Sequence, residues 1–300
     1  MAHEKTEIET RVLAKWIGIP LSKYYDWKSR SGMTNLHNGK IPRDNWILSW
    51  ERQAIIDYAR VHLEEGYRRL TYMMIDQDVV AVSPSTTYRV LKSVGLLNRW
   101  NRGKANPKKR GFDQPVCPHE QWHTDIKYVN FRGTFLFLIS VIDGYSRYIV
   151  HHELRLSMEE YDVQITLQRA LEKYPNEKPR LISDNGSQYI SKDFALFLHE
   201  AGLQHTRTSI AHPQSNGKIE RFHETLSQEF LRKKSLIDLE DARKQIADFI
   251  EYYNTKRLHG ALFYLTPEDF LKERIHERIK VREQKLHQAL LNRSEAKNAA

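Results

Sequence analysis

The sequence holds one cysteine, Cys117, in 300 residues. That scarcity excludes an internal disulfide framework and a cysteine-rich zinc site. No apolar run approaches the roughly 18–20 residues that a membrane-spanning helix needs. The start, Met1-Ala2-His3-Glu4-Lys5, lacks the apolar core of a secretory signal. The expected setting is therefore the cytoplasm, without a membrane partner. Negative charge is scarce at one end of the chain. Residues 1–110 carry 20 Lys/Arg against 11 Asp/Glu, whereas residues 111–300 carry 27 of each, so the whole net charge of +9 sits in the first third. A basic end on a neutral body suggests a polyanion-binding module joined to something else, with a solubilising surface as the lesser alternative on charge alone.

At this length the chain suits two or three domains, and composition separates several regions. Residues 1–50 read as a helix-turn-helix-like segment: Val12, Leu13 and Trp16 face a core, Gly18 falls in the turn, and Leu21, Tyr24, Tyr25 and Trp27 lie on a second helix. Residues 51–98 read as a second such unit that binds DNA. Ile55, Ile56, Tyr58 and Ala59 begin one helix, Gly66-Tyr67-Arg68-Arg69-Leu70 opens another, and Ser83-Pro84 places a cap and an N1 proline before a third. Ser85, Thr86 and Arg89 of that third helix are expected to be exposed and to meet phosphates and base edges in a major groove. Residues 99–118 hold six Lys/Arg, among them Lys108, Lys109 and Arg110, and read as a basic linker in contact with DNA.

From residue 119 the pattern changes to strands near 122–129, 135–142 and 148–154, then a helix over 159–173, a strand at 180–183, a helix over 194–201, a strand at 204–208 and a long helix after Asn216-Gly217. This implies an α/β fold with a mixed five-stranded sheet flanked by helices, over 119–235. Residues 236–300 read as helical, over 242–253 and 267–279, with a charged tail that frays from Asn292.

Three acids on three elements stand out. Asp125 lies mid-strand and shares a face with His123 and Lys127. Asp184 lies where a strand ends in Asp-Asn-Gly, and Glu220 lies one turn into a helix whose Ile219, Phe222, Leu226 and Phe230 face the core. An ionised carboxylate in a sheet is costly unless it is paired or bound to a cation. Each acid alone could be a simple cap, but the three together are poorly explained that way. Hard oxygen ligands without histidine or cysteine favour Mg²⁺, with Mn²⁺ as a substitute, over zinc. Two such ions about 3.5–4 Å apart activate an attacking oxygen and stabilise a departing one, which is phosphodiester chemistry.

The strings Trp122-His123-Thr124-Asp125, Ser183-Asp184-Asn185-Gly186-Ser187-Gln188-Tyr189 and Ser215-Asn216-Gly217-Lys218-Ile219-Glu220-Arg221-Phe222-His223 resemble the catalytic core of retroviral-integrase-type transposases. Thirty-five residues separate Asp184 from Glu220, the spacing typical of that family. Tyr253-Asn254-Thr255-Lys256-Arg257-Leu258-His259-Gly260 through Thr266-Pro267-Glu268 is similar to the segment that closes this domain in bacterial insertion-sequence transposases. The resemblance implies a ribonuclease-H-like fold in which Asp125, Asp184 and Glu220 are catalytic and hold two metal ions. It implies a bacterial, nucleoid-associated enzyme that nicks the ends of a mobile element to expose a 3′-OH, which then attacks a second phosphodiester. The partners implied are double-stranded DNA, from element ends and target, and further copies of the chain in a dimer or larger synaptic assembly.

Many such relatives carry Lys or Arg seven residues after the glutamate. Here that position is Ser227, and Lys218, Arg221 or the run Arg232-Lys233-Lys234 are the candidates to replace it. Asn185, Tyr189 and Asn216 are expected to support the site. Glu224, one helical turn beyond Glu220, could support the metal shell but reads more simply as an ordinary helix residue, and for His212 and Gln214 DNA contact and an ordinary loop role fit equally. His151-His152 occupy adjacent, opposite-facing strand positions, so a shared metal is not expected there, and Asp143-Gly144 reads as a hairpin turn. Two other functions fit parts of the pattern: a non-catalytic DNA-binding regulator, or a nuclease acting on RNA–DNA hybrids.

Overall fold

The computed structural model describes residues 8–32, 46–97, 114–208 and 216–298. Lys108, Lys109, Arg110, His212 and Gln214 lie outside the described residues. The chain divides into two compact units, residues 1–49 with 288–300, and residues 50–287. In the first, α1 (Thr10–Ile17) and α2 (Leu21–Ser29) flank Gly18, whose left-handed φ of 73° turns the chain as expected. The core reading of Val12 and Trp16 is corrected: they are 38% and 69% exposed, and Ala14 is the one buried residue described on these two helices. Two such short helices have too little area to cover both faces.

The second unit begins with α3 (Ser49–Val61), α4 (Tyr67–Asp76) and α5 (Pro84–Ser93). Ile55, Leu70, Met74, Ile75, Val90 and Leu91 are buried. Ser83 caps α5 by accepting the Thr86 amide, with Pro84 in the first turn. One expectation fails. Thr86 is buried, and its hydroxyl faces Ser83 Oγ at 3.0 Å, whereas Ser85 and Arg89 are exposed. The exposed residues on this part of α5 are thus Ser85, Tyr88 and Arg89. Helical periodicity turns Thr86 inward beside Thr87, which bonds Thr71 of α4 at 2.8 Å.

The sheet follows as β1 (Gln121–Phe131), β2 (Thr134–Asp143) and β3 (Ile149–Arg155), then α6 (Glu160–Lys173), β4 (Arg180–Ser183), α7 (Ser187–Ile190), α8 (Lys192–Glu200) and β5 (His205–Arg207). Its order is β3-β2-β1-β4-β5, antiparallel from β3 to β1 and parallel from β1 to β5. Phe131 pairs with Thr134 across a two-residue turn in which Arg132 and Gly133 both have positive φ, 50° and 83°. That is the turn whose twist matches the strands it joins.

After α9 (Gly217–Leu226), residues Ser227–Leu231 widen into a π turn, in which Arg232 N donates to Ser227 O at 3.1 Å. Next come α10 (Leu239–Thr255), α11 (Pro267–Leu271) and α12 (Ile275–Asn298). Each sheet face has its own core. Leu136, Leu138 and Ile142 of β2 meet α9 and α10 through Ile219, Phe222, Ile246 and Phe249. Ile139 and Val141 meet α6 and α8 through Val163, Leu167, Phe194 and Leu198. This double burial is the reason β2 reads as one unbroken apolar run.

The expected helix over 267–279 is interrupted. Glu273 adopts φ 55°, and Arg274 pairs with Asp269 at 3.1 Å, which turns the chain between α11 and α12. The tail, expected to fray from Asn292, stays helical to Asn298. α12 returns to α4: Arg282 donates to both Asp76 oxygens, at 2.8 and 2.6 Å, and Lys285 Nζ donates to Ile75 O at 2.9 Å. Among the described residues no helix is long and apolar enough to cross a membrane.

Candidate active site

β1 and β4 run parallel, with His123 opposite Ile182. Asp125 follows two residues further along β1, and Asp184 directly follows Ser183, the last residue of β4. Asp125 leaves β1 on the same face as Val129, toward α9. Leu181 faces the opposite layer, so alternation puts Ile182 on the α9 side as well. Glu220 stands in the first turn of α9, exposed, while its neighbours Ile219 and Phe222 anchor the helix to the sheet.

Each carboxylate is held locally. Asp125 Oδ1 accepts from the Ile126 amide at 2.9 Å, and its Oδ2 lies 3.5 Å from Nδ1 of His223. Asp184 Oδ1 accepts from the Gly186 amide at 3.0 Å. A Cβ at Gly186 would stand 3.2 Å from that same oxygen, so glycine keeps the carboxylate unobstructed. The Glu220 carboxyl is pushed above its ordinary range by partial burial and by the negative charge of Asp125, with His223 pulling the other way. Among the described residues none of the three acids forms an ion pair with lysine or arginine, and no three His, Cys, Asp or Glu groups close into a ligand cage as they stand.

Beneath the acids lies a layer of unanswered polar atoms. Ser140 Oγ, both ring nitrogens of His123, Nε2 of His223 and Oδ1 of Asn216 are buried, with no hydrogen-bond partner in close geometry among the described residues. Ser140 stands directly across from Asp125 in the β1–β2 ladder. Burial, then the charge of Lys218, pushes the His123 imidazole down to about 3, so it stays neutral. Buried polar atoms left open cost stability unless water or an ion answers them.

The expected supporting residues divide. Asn185 donates to Thr208 O at 2.7 Å and thereby ties the end of β4 to the chain leaving β5. Asn216 sits beside His123 at the mouth of α9. Tyr189 is 3% exposed and packs with Phe194 in the α6–α8 layer, and its hydroxyl lies 3.4 Å from Thr124 Oγ1 on the far face of β1. Lys218 is half-buried toward Arg147, and burial brings its ammonium down to about 8. Arg221 is exposed and pairs with Glu224 at 2.8 Å. Ser227 opens the π turn and donates to His223 O at 2.8 Å. Asp143, expected as a turn residue, is buried and accepts from Ser146 and from the His119 amide. His151 and His152 hold ring centroids 6.3 Å apart, with His151 turned to Glu153.

His223 and Ser140 are the site residues that sequence reasoning missed. His223 follows Glu220 by three residues, the spacing that shares a helix face, and that signal was available. Ser140 is fixed only by strand register.

Residues 115–213 match the integrase core domain family, and residues 201–267 match a second integrase core domain description. The transposase for insertion sequence element IS904 of Lactococcus lactis is 33% identical over 206 residues, which is 63% of this chain and 81% of that protein. The chain belongs to the insertion-sequence transposases built on an integrase core. Transposase InsD for insertion element IS2D of Escherichia coli is 26% identical over 223 residues, 70% of this transposase and 74% of its relative. Two solved structures overlap it in part. One is a simian T-cell lymphotropic virus intasome with a PP2A regulatory subunit, at 16% identity, 73% and 74% coverage and TM-score 0.48. The other is the HTLV-2 integrase catalytic core domain with magnesium, at 14% identity, 52% and 98% coverage and TM-score 0.42. The ribonuclease-H-like character of this transposase rests instead on its strand order and its family match.

Proposed function

We propose that this transposase cuts and joins DNA strands at the ends of its element through Asp125, Asp184 and Glu220, which together hold two Mg²⁺ ions. The observation that supports the reading is the parallel pairing of β1 with β4, at whose end Asp184 stands, together with the charge of Asp125 acting on Glu220 in the first turn of α9. The donor set fits a hard divalent cation. It offers carboxylate oxygens, the acids lack lysine or arginine partners among the described residues, and the Glu220 carboxyl is raised by burial and then by the charge of Asp125, both of which a bound cation offsets. Mn²⁺ fits the same donors.

When bound, the ions lower the barrier for attack at phosphorus by activating the incoming oxygen and stabilising the departing one. The chain itself fixes the geometry. β1 holds one acid and the end of β4 a second, α9 carries the third on a helix anchored by Phe222, and Gly186 keeps Asp184 accessible. Water attacks in the nicking step, and the 3′-OH it exposes attacks in the joining step. Both are in-line displacements, so one set of ligands serves both.

Double-stranded DNA is the substrate and target, with Ser85, Tyr88 and Arg89 of α5 and the basic segment 99–118 as contacts. Holding two element ends together requires a dimer or larger assembly. The residue assignment is tested by incubating the protein with Mg²⁺ and duplex DNA carrying the inverted repeats that flank its gene. Wild type yields nicked and joined products, and Asp184→Asn yields neither while still binding the duplex. Wild-type turnover by Asp184→Asn overturns the assignment.

A further inference from the structure

A cavity of about 360 Å³ opens between the β1–β2 hairpin, from Lys127 onward, and the end of α9. Its wall includes Lys127, Asn130, Arg132, Ser227, Arg232 and Lys234. Four of these are cations, and no carboxylate belongs to the lining. The basic cavity on edge strand β3 is different, because Glu153 answers Arg155 and Arg169 there.

The positions of these cations are built rather than incidental. Lys127 follows Asp125 by two residues on the same strand face, about 6.6 Å further along β1. It is half-buried, which pulls its ammonium below the ordinary range. Arg132 is the first residue of the tight hairpin turn, and its guanidinium lies over the Phe131 ring at 5.6 Å. The π turn at Ser227–Leu231 ends the helix early and delivers Arg232 and Lys234 to the same opening. π turns of this kind concentrate at functional positions. In the run Arg232-Lys233-Lys234 the middle residue turns away and pairs with Glu64 of the helical front, so the two flanking cations face the cavity.

We infer that this cavity binds backbone phosphates of the duplex a few nucleotides from the scissile bond, and so sets the register of the strand in the active site. The inference rests on the DNA-joining reading above and names which residues position the substrate. Four cations converging on one opening suit successive phosphates, and a phosphate contact fixes register without reading sequence.

The test uses the full-length protein in EDTA with a 30-base-pair duplex that ends in a recessed 3′-OH, and measures affinity across a salt series. Each lost phosphate contact lowers the slope of log K against log salt by about 0.9. The double variant Arg232→Ala/Lys234→Ala is expected to lose nearly two units of slope and about tenfold in affinity. Lys233→Ala, which removes the same charge from the same segment but faces Glu64, is expected to keep the wild-type slope. Thermal melts verify that all three variants fold. Neutral methylphosphonate linkages scanned from the 3′ end add a second readout. Those at the cavity weaken wild type and leave the double variant unaffected. An unchanged slope in the double variant, or an equal loss in Lys233→Ala, overturns the inference while Mg²⁺-dependent nicking by wild type leaves the catalytic assignment standing. A wild-type protein that neither binds nor nicks the duplex overturns both.

Discussion

Nδ1 of His223 lies 3.5 Å from Oδ2 of Asp125, one helical turn beyond Glu220 on the same helix. The imidazole thus stands between two of the three acids, and its Nε2 is buried with no hydrogen-bond partner in close geometry among the described residues. Groups that orient a metal ligand typically matter by 10–100-fold in affinity or activity. His223→Ala is expected to reduce nicking by roughly that range, to raise the Mg²⁺ concentration needed for half-maximal rate, and to leave duplex binding unchanged. A magnesium titration of the nicking rate measures both effects; an unshifted midpoint removes His223 from the site.

Glu220 carries a cost that a cation relieves. Its carboxyl is raised by burial and by Asp125, so the fold favours its protonated form. The stability tied to that proton is present below the unfolded carboxylate range and is lost as pH rises through the raised value. At neutral pH without divalent ions, Glu220→Gln is therefore expected to melt above wild type. Adding Mg²⁺ should raise the melting temperature of wild type and leave that of Glu220→Gln nearly unmoved. Equal magnesium responses in the two proteins contradict this.

Gly186 has an ordinary φ of −57°, so its role is space rather than backbone freedom. An added side chain meets Asp184 Oδ1 and the end of Gln188, and Gln188 can swing clear while Asp184 cannot without losing its bond to the Gly186 amide. Gly186→Val is expected to fold normally and to nick roughly tenfold more slowly, since sub-ångström misplacement of a catalytic group is enough for such losses. Circular dichroism beside single-turnover nicking separates the two properties.

Asp76 answers both Arg282, which is 5% exposed, and Arg278 at 3.3 Å. Removing it leaves a buried guanidinium uncompensated, so Asp76→Ala is expected to destabilise the unit by about 3–5 kcal/mol. Urea denaturation followed by tryptophan fluorescence measures it, and a loss below about 1 kcal/mol marks the pair as a surface contact.

Burial, aided by His151 and Lys173, holds the His152 imidazole down to about 4. The folded state keeps it neutral where the unfolded chain takes up a proton, so its contribution is complete above the ordinary histidine value. That contribution is lost as pH falls from about 6.5 to about 4. His152→Phe is expected to flatten the decline of stability across this window by on the order of 2–3 kcal/mol. Equal slopes for the two proteins count against a buried neutral imidazole.

The sheet was legible because period-two alternation, β2's apolar run and the Asp-Asn-Gly stop are local signals, and all five strands stand where they are expected. The three acids drew notice for a different reason: an acid inside a strand, one at a strand end and one in the first turn of a helix have no shared packing explanation. Distant geometry was not legible. Thr86 reads as an exposed polar residue until α4 covers it, and Tyr189 sits two residues from Ser187 yet points beneath the sheet to Thr124. The break before α12 depends on Glu273 adopting a left-handed conformation, which nothing in its neighbours' side chains announces. The cationic cavity needed a π turn and a hairpin to meet, and neither has a reliable sequence signature.

The clasp between α4 and α12 joins residues 206 apart in the chain, Asp76 and Arg282. A newborn polypeptide cannot fasten it until residue 282 has cleared the ribosome, and closing so long a span is slow. The outer end of α4 is therefore among the last parts of the fold to be secured.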